Sequence, residues 1–407
     1  MPFLPYFVHE LGINDTKQQL VWSGWLITSA GITMAIVSPI WGVLADRHGR
    51  KIMVVRSMFG GVVVLGAMAF VHNVYQLLIL RMLQGALTGT IAASVALVAS
   101  VVPTRRSGLA LGLMQNAMFI GAAIGPAIGG PLGDHFGYRL CFEVSAGILL
   151  VGALLTVFAV HEEFDPTEAQ NSEGATTNRE VLAITGFATM VGLLFMVQFS
   201  GSFVGPILPL YIQQISHLAK AGAASGLIFS LSAVAAGLAA VFLGLLGDKV
   251  GYSTILVSCT FLDGLTLIPQ AMVHSFNQLL VSRVVFAACD GGTMPAANAF
   301  IRKLVPRHAC GKAFGIVTSV TSIGWASGPL VGSYIAACFG MRVPFYFVAG
   351  TFLIVSVIVA FTLPRMMRAI EAEKASAAAA ECPLDSEVMG EIVEEYAMEA
   401  SESVNES

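Results

Sequence analysis

The sequence predicts an all-α polytopic membrane protein made of two six-helix halves in a pseudo-two-fold repeat, with its first helix truncated. Three observations predict this. Of the 407 residues, 56% are hydrophobic and 11% are charged, with mean hydropathy +0.78; a soluble domain carries about 25% charged residues. The chain also divides into eleven apolar runs, each close to or above the roughly 20 residues that cross hydrocarbon as a helix. Helix is the expected form because each span must satisfy its own backbone hydrogen bonds. Finally, landmarks of the first half recur in the second at a nearly constant offset.

Taken in order, the spans fall at about 22–44, 52–72, 75–101, 108–131, 140–160, 181–213, 223–246, 253–273, 277–301, 311–337 and 343–363. Ahead of them, Met1-Pro2-Phe3-Leu4-Pro5-Tyr6-Phe7-Val8 is apolar but too short to cross. The first two spans are separated by the stretch from Gly42 to Lys51. Asp46, Arg47, Arg50 and Lys51 are costly in hydrocarbon, so this break lies at a membrane face. Gly42 permits close helix approach, and Gly49 permits a tight turn of positive φ. His161 to Glu180 is acidic and rich in Thr and Asn, the composition of a flexible linker. Glu371 to Ser407 is rich in Ala and Glu and reads as a solvated tail.

The repeat fixes the domain plan. Gly42, Asp46 and Gly49 recur as Gly244, Asp248 and Gly251, and Gln76 with Arg81 as Gln278 with Arg283, all offset by 202. Gly125-Pro126, Gly129 and Arg139 recur as Gly328-Pro329, Gly332 and Arg342, offset by 203. The expected domains are an N-terminal half at 1–160, a linker at 161–180, a C-terminal half at 181–364 and a tail at 365–407. Parallel halves of this kind place a substrate site between them near the midplane. Pro2 and Pro5 match Pro206 and Pro209, yet roughly twenty apolar residues precede only the second pair. The repeat thus predicts a first helix cut short by a late start; a genuine eleven-helix chain is the alternative.

Charge gives orientation. One set of loops and ends holds 15 Lys and Arg residues, among them Arg47, Arg50, Lys51, Arg105, Lys249, Arg302 and Arg365; the other holds Lys17, Arg139, Lys220 and Arg342. By the positive-inside bias the first set is cytoplasmic, with the linker and C-terminus.

Three motifs then narrow the class. The first is G-x-L-A-D-R-x-G-R-K, at Gly42, Asp46, Arg47, Gly49, Arg50 and Lys51, echoed by Gly244, Asp248 and Gly251. It resembles the signature loop between helices two and three of the major facilitator superfamily. In helix five, Gly121, Gly125, Pro126, Gly129 and Gly130 form G-x-x-x-G-P-x-x-G-G, a small-residue face that admits another backbone. Pro126 removes one helix bond and favours a bend. This stretch resembles the antiporter motif of the proton-coupled drug exporters. In helix four, Arg81, Gln84 and Gly85 resemble the family's R-x-x-Q-G motif, which implies a part in proton coupling for Arg81 with Gln84 beside it. Pro2-Phe3-Leu4-Pro5, Ala287-Ala288-Cys289-Asp290-Gly291 and Gly328-Pro329-Leu330-Val331-Gly332 add to the likeness. The resemblance, from Pro2 to about Arg368, is to the twelve-spanner drug:proton antiporters, and it implies the major facilitator fold.

Acidic groups inside spans are the proton-carrier candidates. Asp290 lies about mid-span, seven residues from Arg283 and on the same helical face. A carboxyl group held away from water favours its neutral form, which permits proton exchange. A structural Asp paired with a hydroxyl or with Arg283 is the alternative. Asp263 lies in the peripheral ninth helix, where a structural or lipid-proximal role is expected, and Glu143 either reaches an interface or pairs with Arg81. Candidate cavity residues are Gln115, Asn116, Phe119, Gln198, Phe199, Phe203, Phe229, Phe286, Asn298 and Trp325. Aromatic and amide groups suit amphipathic molecules through stacking and adaptable hydrogen bonds, although core packing serves the aromatics equally well.

No C-x-x-C pair occurs among the six cysteines, and no nucleophile–base constellation, phosphate loop or metal cluster appears. The expected protein is a non-enzymatic exporter driven by the proton gradient, without cofactor, metal or nucleic-acid partner. It sits as a monomer in the plasma (inner) membrane and handles amphipathic small molecules. A metabolite or sugar facilitator on the same fold, or an inactive truncated paralogue, are the other readings.

Overall fold

The computed structural model describes residues 3–102, 104–162, 186–216, 221–305 and 310–381. Every regular element among them is an α-helix. The first half comprises α1 (Leu4–Glu10), α2 (Thr16–His48), α3 (Arg50–Met68), α4 (Val74–Leu87), α5 (Thr90–Val101), α6 (Thr104–Phe136) and α7 (Tyr138–Ala159). The second comprises α8 (Phe187–Phe203), α9 (Leu208–Ser216), α10 (Gly222–Val250), α11 (Tyr252–Met272), α12 (Phe276–Asp290), α13 (Thr293–Leu304), α14 (Cys310–Phe339) and α15 (Val343–Glu381). Nine segments among the described residues are long and apolar enough to cross a membrane. The expected span at 75–101 is split into α4 and α5 at Gly89, whose φ is +132°, so neither piece is long enough alone. Large apolar side chains such as Phe158 and Phe242 point outward, as a lipid-facing surface requires.

The sequence repeat is also a repeat of local structure. Asn73 caps α4 through Gln76 N–H at 2.8 Å, and Gln76 Oε1 accepts from His72 N–H at 2.8 Å. In the second half Ser275 caps α12 through Gln278 N–H at 3.4 Å, while Gln278 Oε1 accepts from His274 N–H at 3.0 Å. Each is a reciprocal cap that satisfies two orphan donors. Gly49 and Gly251 turn the chain at φ +93° and +92°, each as the single residue between two helices. The break at Gly89 has its counterpart at Gly291, between α12 and α13.

The halves meet along two seams, α2 against α14 and α6 against α10. Residue α1 Tyr6 ties the first half to the second near these seams. Its hydroxyl donates to Pro209 O at 2.6 Å and lies 3.0 Å from Ser225 Oγ. Residues 1–360 cluster as one compact unit. The second unit starts at Phe361, and its described part continues α15 to Glu381. Most of the expected linker and the end of the tail lie outside the described residues.

Candidate functional site

The seams are closed at one end and open at the other. We call the end that carries Arg47, Arg50 and Lys51 the basic end, and its opposite the distal end. On α2, a Cβ added at Gly24 would stand 2.8 Å from Ser333 Oγ, and one at Gly31 would press on Ala326. Gly24 to Gly31 and Ser333 to Ala326 are matching steps along antiparallel helices. Gly42, on the same face toward the basic end, falls opposite Gly315, yet neither has anything within 4 Å. The other seam behaves alike. Gly226 meets Pro126 O and Gly130 meets Gly222 O, whereas Gly112 and Gly244 meet nothing. Positions 18 residues apart share one helical face, about 27 Å apart along the axis. The four seam helices therefore touch distally and diverge toward the basic end, leaving a cleft that opens there.

The distal closure has a polar latch. α10 begins at Gly222 with no capping side chain of its own. Asp134 of α6 supplies the cap from the other half, with Oδ1 accepting from Gly222 N–H at 3.1 Å and Oδ2 from Ala223 N–H at 2.7 Å. Tyr138 holds the same carboxylate at 2.9 Å. An anion at a helix N-terminus is favoured by both the free N–H groups and the dipole. Asp134 did not stand out in the sequence because the latch depends on two helices remote in the chain.

At the basic end, Gly49 makes the predicted tight turn. Glu162, just past α7, caps α3: its Oε1 accepts from Arg50 N–H at 3.0 Å and its Oε2 from Lys51 N–H at 2.7 Å. Lys51 Nζ donates to Val157 O at 2.9 Å. The loop is thus anchored within its own half. The side chain of Asp46, the acidic member of this motif, lies outside the described residues. In the echoed loop, the Tyr252 hydroxyl donates to Asp248.

The helix-five glycine motif needs a correction. Close approach occurs at Gly130, against Gly222, and at Gly129, against Phe3 of the N-terminal segment; Pro126 O meets Gly226. Gly121 and Gly125 are exposed with nothing within 4 Å. The small residues admit a neighbour only over the distal third of α6, because there the seam is closed.

Arg81 is buried in α4 and donates from Nη1 to Gln84 Oε1 at 3.0 Å, which joins two members of the predicted motif. Glu143 is exposed on α7 and is no buried carboxyl. Asp290 ends α12, on the face shared with Arg283 and Phe286, and is half-buried. Arg283 lies over the Phe286 ring at 4.8 Å and donates to Gln270 Oε1 at 3.5 Å. Of the two roles expected for Asp263, structural or lipid-proximal, the lipid-proximal one does not fit: the residue is 0% exposed and accepts from Thr293 Oγ1 at 3.4 Å. Helix α11 turns this residue inward against the α12–α13 break rather than outward.

The cavity candidates separate. Phe119 lies against Gly237, and Gln115 follows it one turn toward the basic end, exposed where that seam parts. Asn116 and Asn298 are exposed, while Gln198, Phe199 and Phe229 are half-buried. Trp325 is 49% exposed. It sits between the α14 stripe that meets α8, at Gly324 and Gly328, and the stripe that meets α2, at Ala326 and Ser333. Phe203 and Phe286 prove to be core: Phe203 stacks on Phe347 at 5.4 Å, and Phe286 is 7% exposed. A depression of about 610 Å³ lined by Ile215, Leu227 and Phe276 lies at the distal surface, away from these groups.

Comparison with known proteins agrees with this geometry. The Major Facilitator Superfamily family profile matches twice, at residues 1–194 and 190–391. The chain is 37% identical over 376 residues to multidrug resistance protein MdtG of Salmonella dublin, covering 91% of this chain and 92% of the relative. It is 36% identical to MdtG of Salmonella arizonae, covering 87% and 88%. Among solved structures, the nucleoside transporter NupG superposes with TM-score 0.71 at 13% identity, covering 90% of this chain and 95% of that one. That degree of identity speaks to the fold.

Proposed function

Because this chain belongs to the major facilitator superfamily, we propose that it exports amphipathic, drug-like small molecules in exchange for protons, by alternating access. It is a multi-pass membrane transport protein and not an enzyme. The observation that carries the export reading is the likeness to the multidrug resistance proteins over nine-tenths of the chain. The cleft supports alternating access, since seams closed at one end and open at the other represent one of the two states that such a cycle requires. The excess of Lys and Arg at the basic end supports a cytoplasmic opening, with linker and C-terminus on that side of the plasma (inner) membrane. The protein works as a monomer, with the proton gradient in place of a cofactor.

In this reading Gln115, Asn116 and Trp325 contact substrate as it enters from the basic end. Asp290 is the proton-responsive carboxyl, and Arg81 with Gln84 supports coupling from the other half. A carboxylate at that depth is costly when charged and unpaired, so it alternates between a neutral and a paired state. The test is export of a lipophilic cationic dye from proteoliposomes under an imposed pH gradient. Wild type exports the dye, while Asp290→Asn binds it but loses the pH-driven component. Dye movement indifferent to the gradient would refute proton coupling. Uptake of nucleosides or sugars in its place would turn the reading toward a metabolite facilitator.

A further inference from the structure

We propose that Asp263 is a second proton-binding carboxyl, and that Asp263, Asp290 and Arg283 form one cluster, its inner member fully buried, holding a single exchangeable proton. This deepens the reading of Asp290 given above and rests on it. The argument begins with burial. Asp263 is 0% exposed, and its Oδ1 is buried without a hydrogen-bond partner, while Oδ2 accepts only from Thr293 at 3.4 Å. A carboxylate oxygen left without a donor is a poor home for negative charge, whereas a carboxylic acid tolerates the site. Thr293 opens α13 and is itself 0% exposed, so the carboxyl lies where the α12–α13 break presents the start of a helix.

The charges facing Asp263 come from α12. Asp290 and Arg283 both act on it electrostatically, and Arg283 acts on Asp290 in turn. Cys259 of α11 and Cys289 of α12 are the other titratable neighbours. From α10 the approach to the break is apolar, Leu243 beside Gly292, and from α15 it is Leu353 and Ala349 beside Gly264. Two acids thus face one guanidinium. With both acids ionised the cluster carries one net negative charge in a low-dielectric surround; with one proton it is neutral, and with two it is positive. The neutral form is the cheapest to bury, so the resting cluster keeps one proton. Asp290, half-buried, is its route to water, and Asp263 is the enclosed site beyond it. The step is a proton transfer alone: a proton leaves water for a carboxylate oxygen and later returns.

The test is infrared difference spectroscopy of the purified full chain in lipid, recorded across pH without any drug. Wild type shows a protonated-carboxyl band. Asp263→Asn and Asp290→Asn each abolish it, because the one remaining carboxylate and Arg283 already form a net-neutral pair that needs no proton. Arg283→Gln roughly doubles it, since two acids then lack a cation, and Arg283→Lys restores the single band. Thr293→Val, which removes the hydroxyl on Oδ2, shifts the band and covers the case in which Asp263→Asn fails to fold. A band unchanged in Asp263→Asn, or unshifted in Thr293→Val, overturns the proposal. So does a band displaced by sodium at fixed pH, which would make this a metal-cation site. The spectra need no transport: a band assigned to Asp263 in a protein that exports no dye would leave the cluster standing and remove the export reading. Proton-driven export with Asp263→Asn spectra unchanged would do the reverse.

Discussion

Closing the basic end should bring Gly42 onto Gly315 and Gly112 onto α10 near Ala240, because the distal contacts set the register of both seams. Gly315→Leu and Gly112→Leu test this. In the present state nothing lies within 4 Å of a Cβ at either site, so the substitutions cost little here. In the state closed at the basic end the added side chain would meet a backbone, as a Cβ at Gly24 would now meet Ser333 at 2.8 Å. Overpacking of this kind costs about 1–3 kcal/mol. Borne by one of two states, it shifts their ratio by roughly 5–150-fold toward the state open at the basic end.

The assay is the distance between spin labels across the basic end, alongside dye export. Both variants should insert normally, populate the long-distance state almost fully and export slowly. Gly147→Leu, equally free of neighbours but on α7 away from the seams, is the control. Full export with an unshifted distance distribution in both seam variants would refute the register argument.

Three further outcomes are expected. Asp134→Ala removes the cap on α10, worth about 1 kcal/mol and up to about 2 with the dipole; thiol labelling of Ser333→Cys, now 0% exposed, should rise several-fold, and unchanged labelling would show that the latch is dispensable. Gly130→Leu should lower the melting temperature through overpacking against Gly222, whereas Gly125→Leu should not, and a thermal-shift comparison in detergent checks the pair. Glu162→Ala leaves Arg50 and Lys51 N–H uncapped and should loosen the loop by about 1 kcal/mol, read as faster amide exchange at the start of α3.

Much of the fold was legible in the sequence because a membrane span declares itself through composition alone, and because a constant offset exposes a repeat. The Gly49 turn and the pairing of Arg81 with Gln84 were legible for a similar reason: each depends on neighbours in sequence. What could not be read depends on helices brought together from afar. Asp134 serves α10 across 88 residues. Asp263 looked peripheral because its helix is, yet its side chain faces inward. Phe203 looked like a cavity aromatic, yet it is 0% exposed, edge-on to Phe199 and stacked on Phe347, which makes it core. Gly121 and Gly125 share a motif with Gly130 but not its neighbour, since a helix stripe cannot say how far along it two helices stay in contact.

The repeat also separates scaffold from chemistry. Devices that build helices occur twice: the reciprocal caps at Asn73 and Ser275, the turns at Gly49 and Gly251, the breaks at Gly89 and Gly291. Arg81 and Arg283, at the same step of α4 and α12, are likewise equivalent. The acids are not. At the offset of 202, Asp263 corresponds to Gly61 and Asp290 to Thr88, while at the offset of 203 Asp134 corresponds to Ala337. Each of these acids sits where the other half has no charge, and a charge in hydrocarbon persists only where it serves a function or is paired. In the proposed cycle the asymmetry divides the labour: the second half gathers the carboxyls assigned to proton exchange, and the first supplies the carboxylate that caps α10 at the distal seam. A proton taken up beside α12 can then alter packing at the α10–α12 contact, and α10 is the helix whose N-terminus Asp134 holds. Coupling by this route requires that Asp134→Ala weaken the dependence of export on pH while leaving dye binding intact. An Asp134→Ala protein whose export keeps its full pH dependence would show that the latch and the proton site act independently.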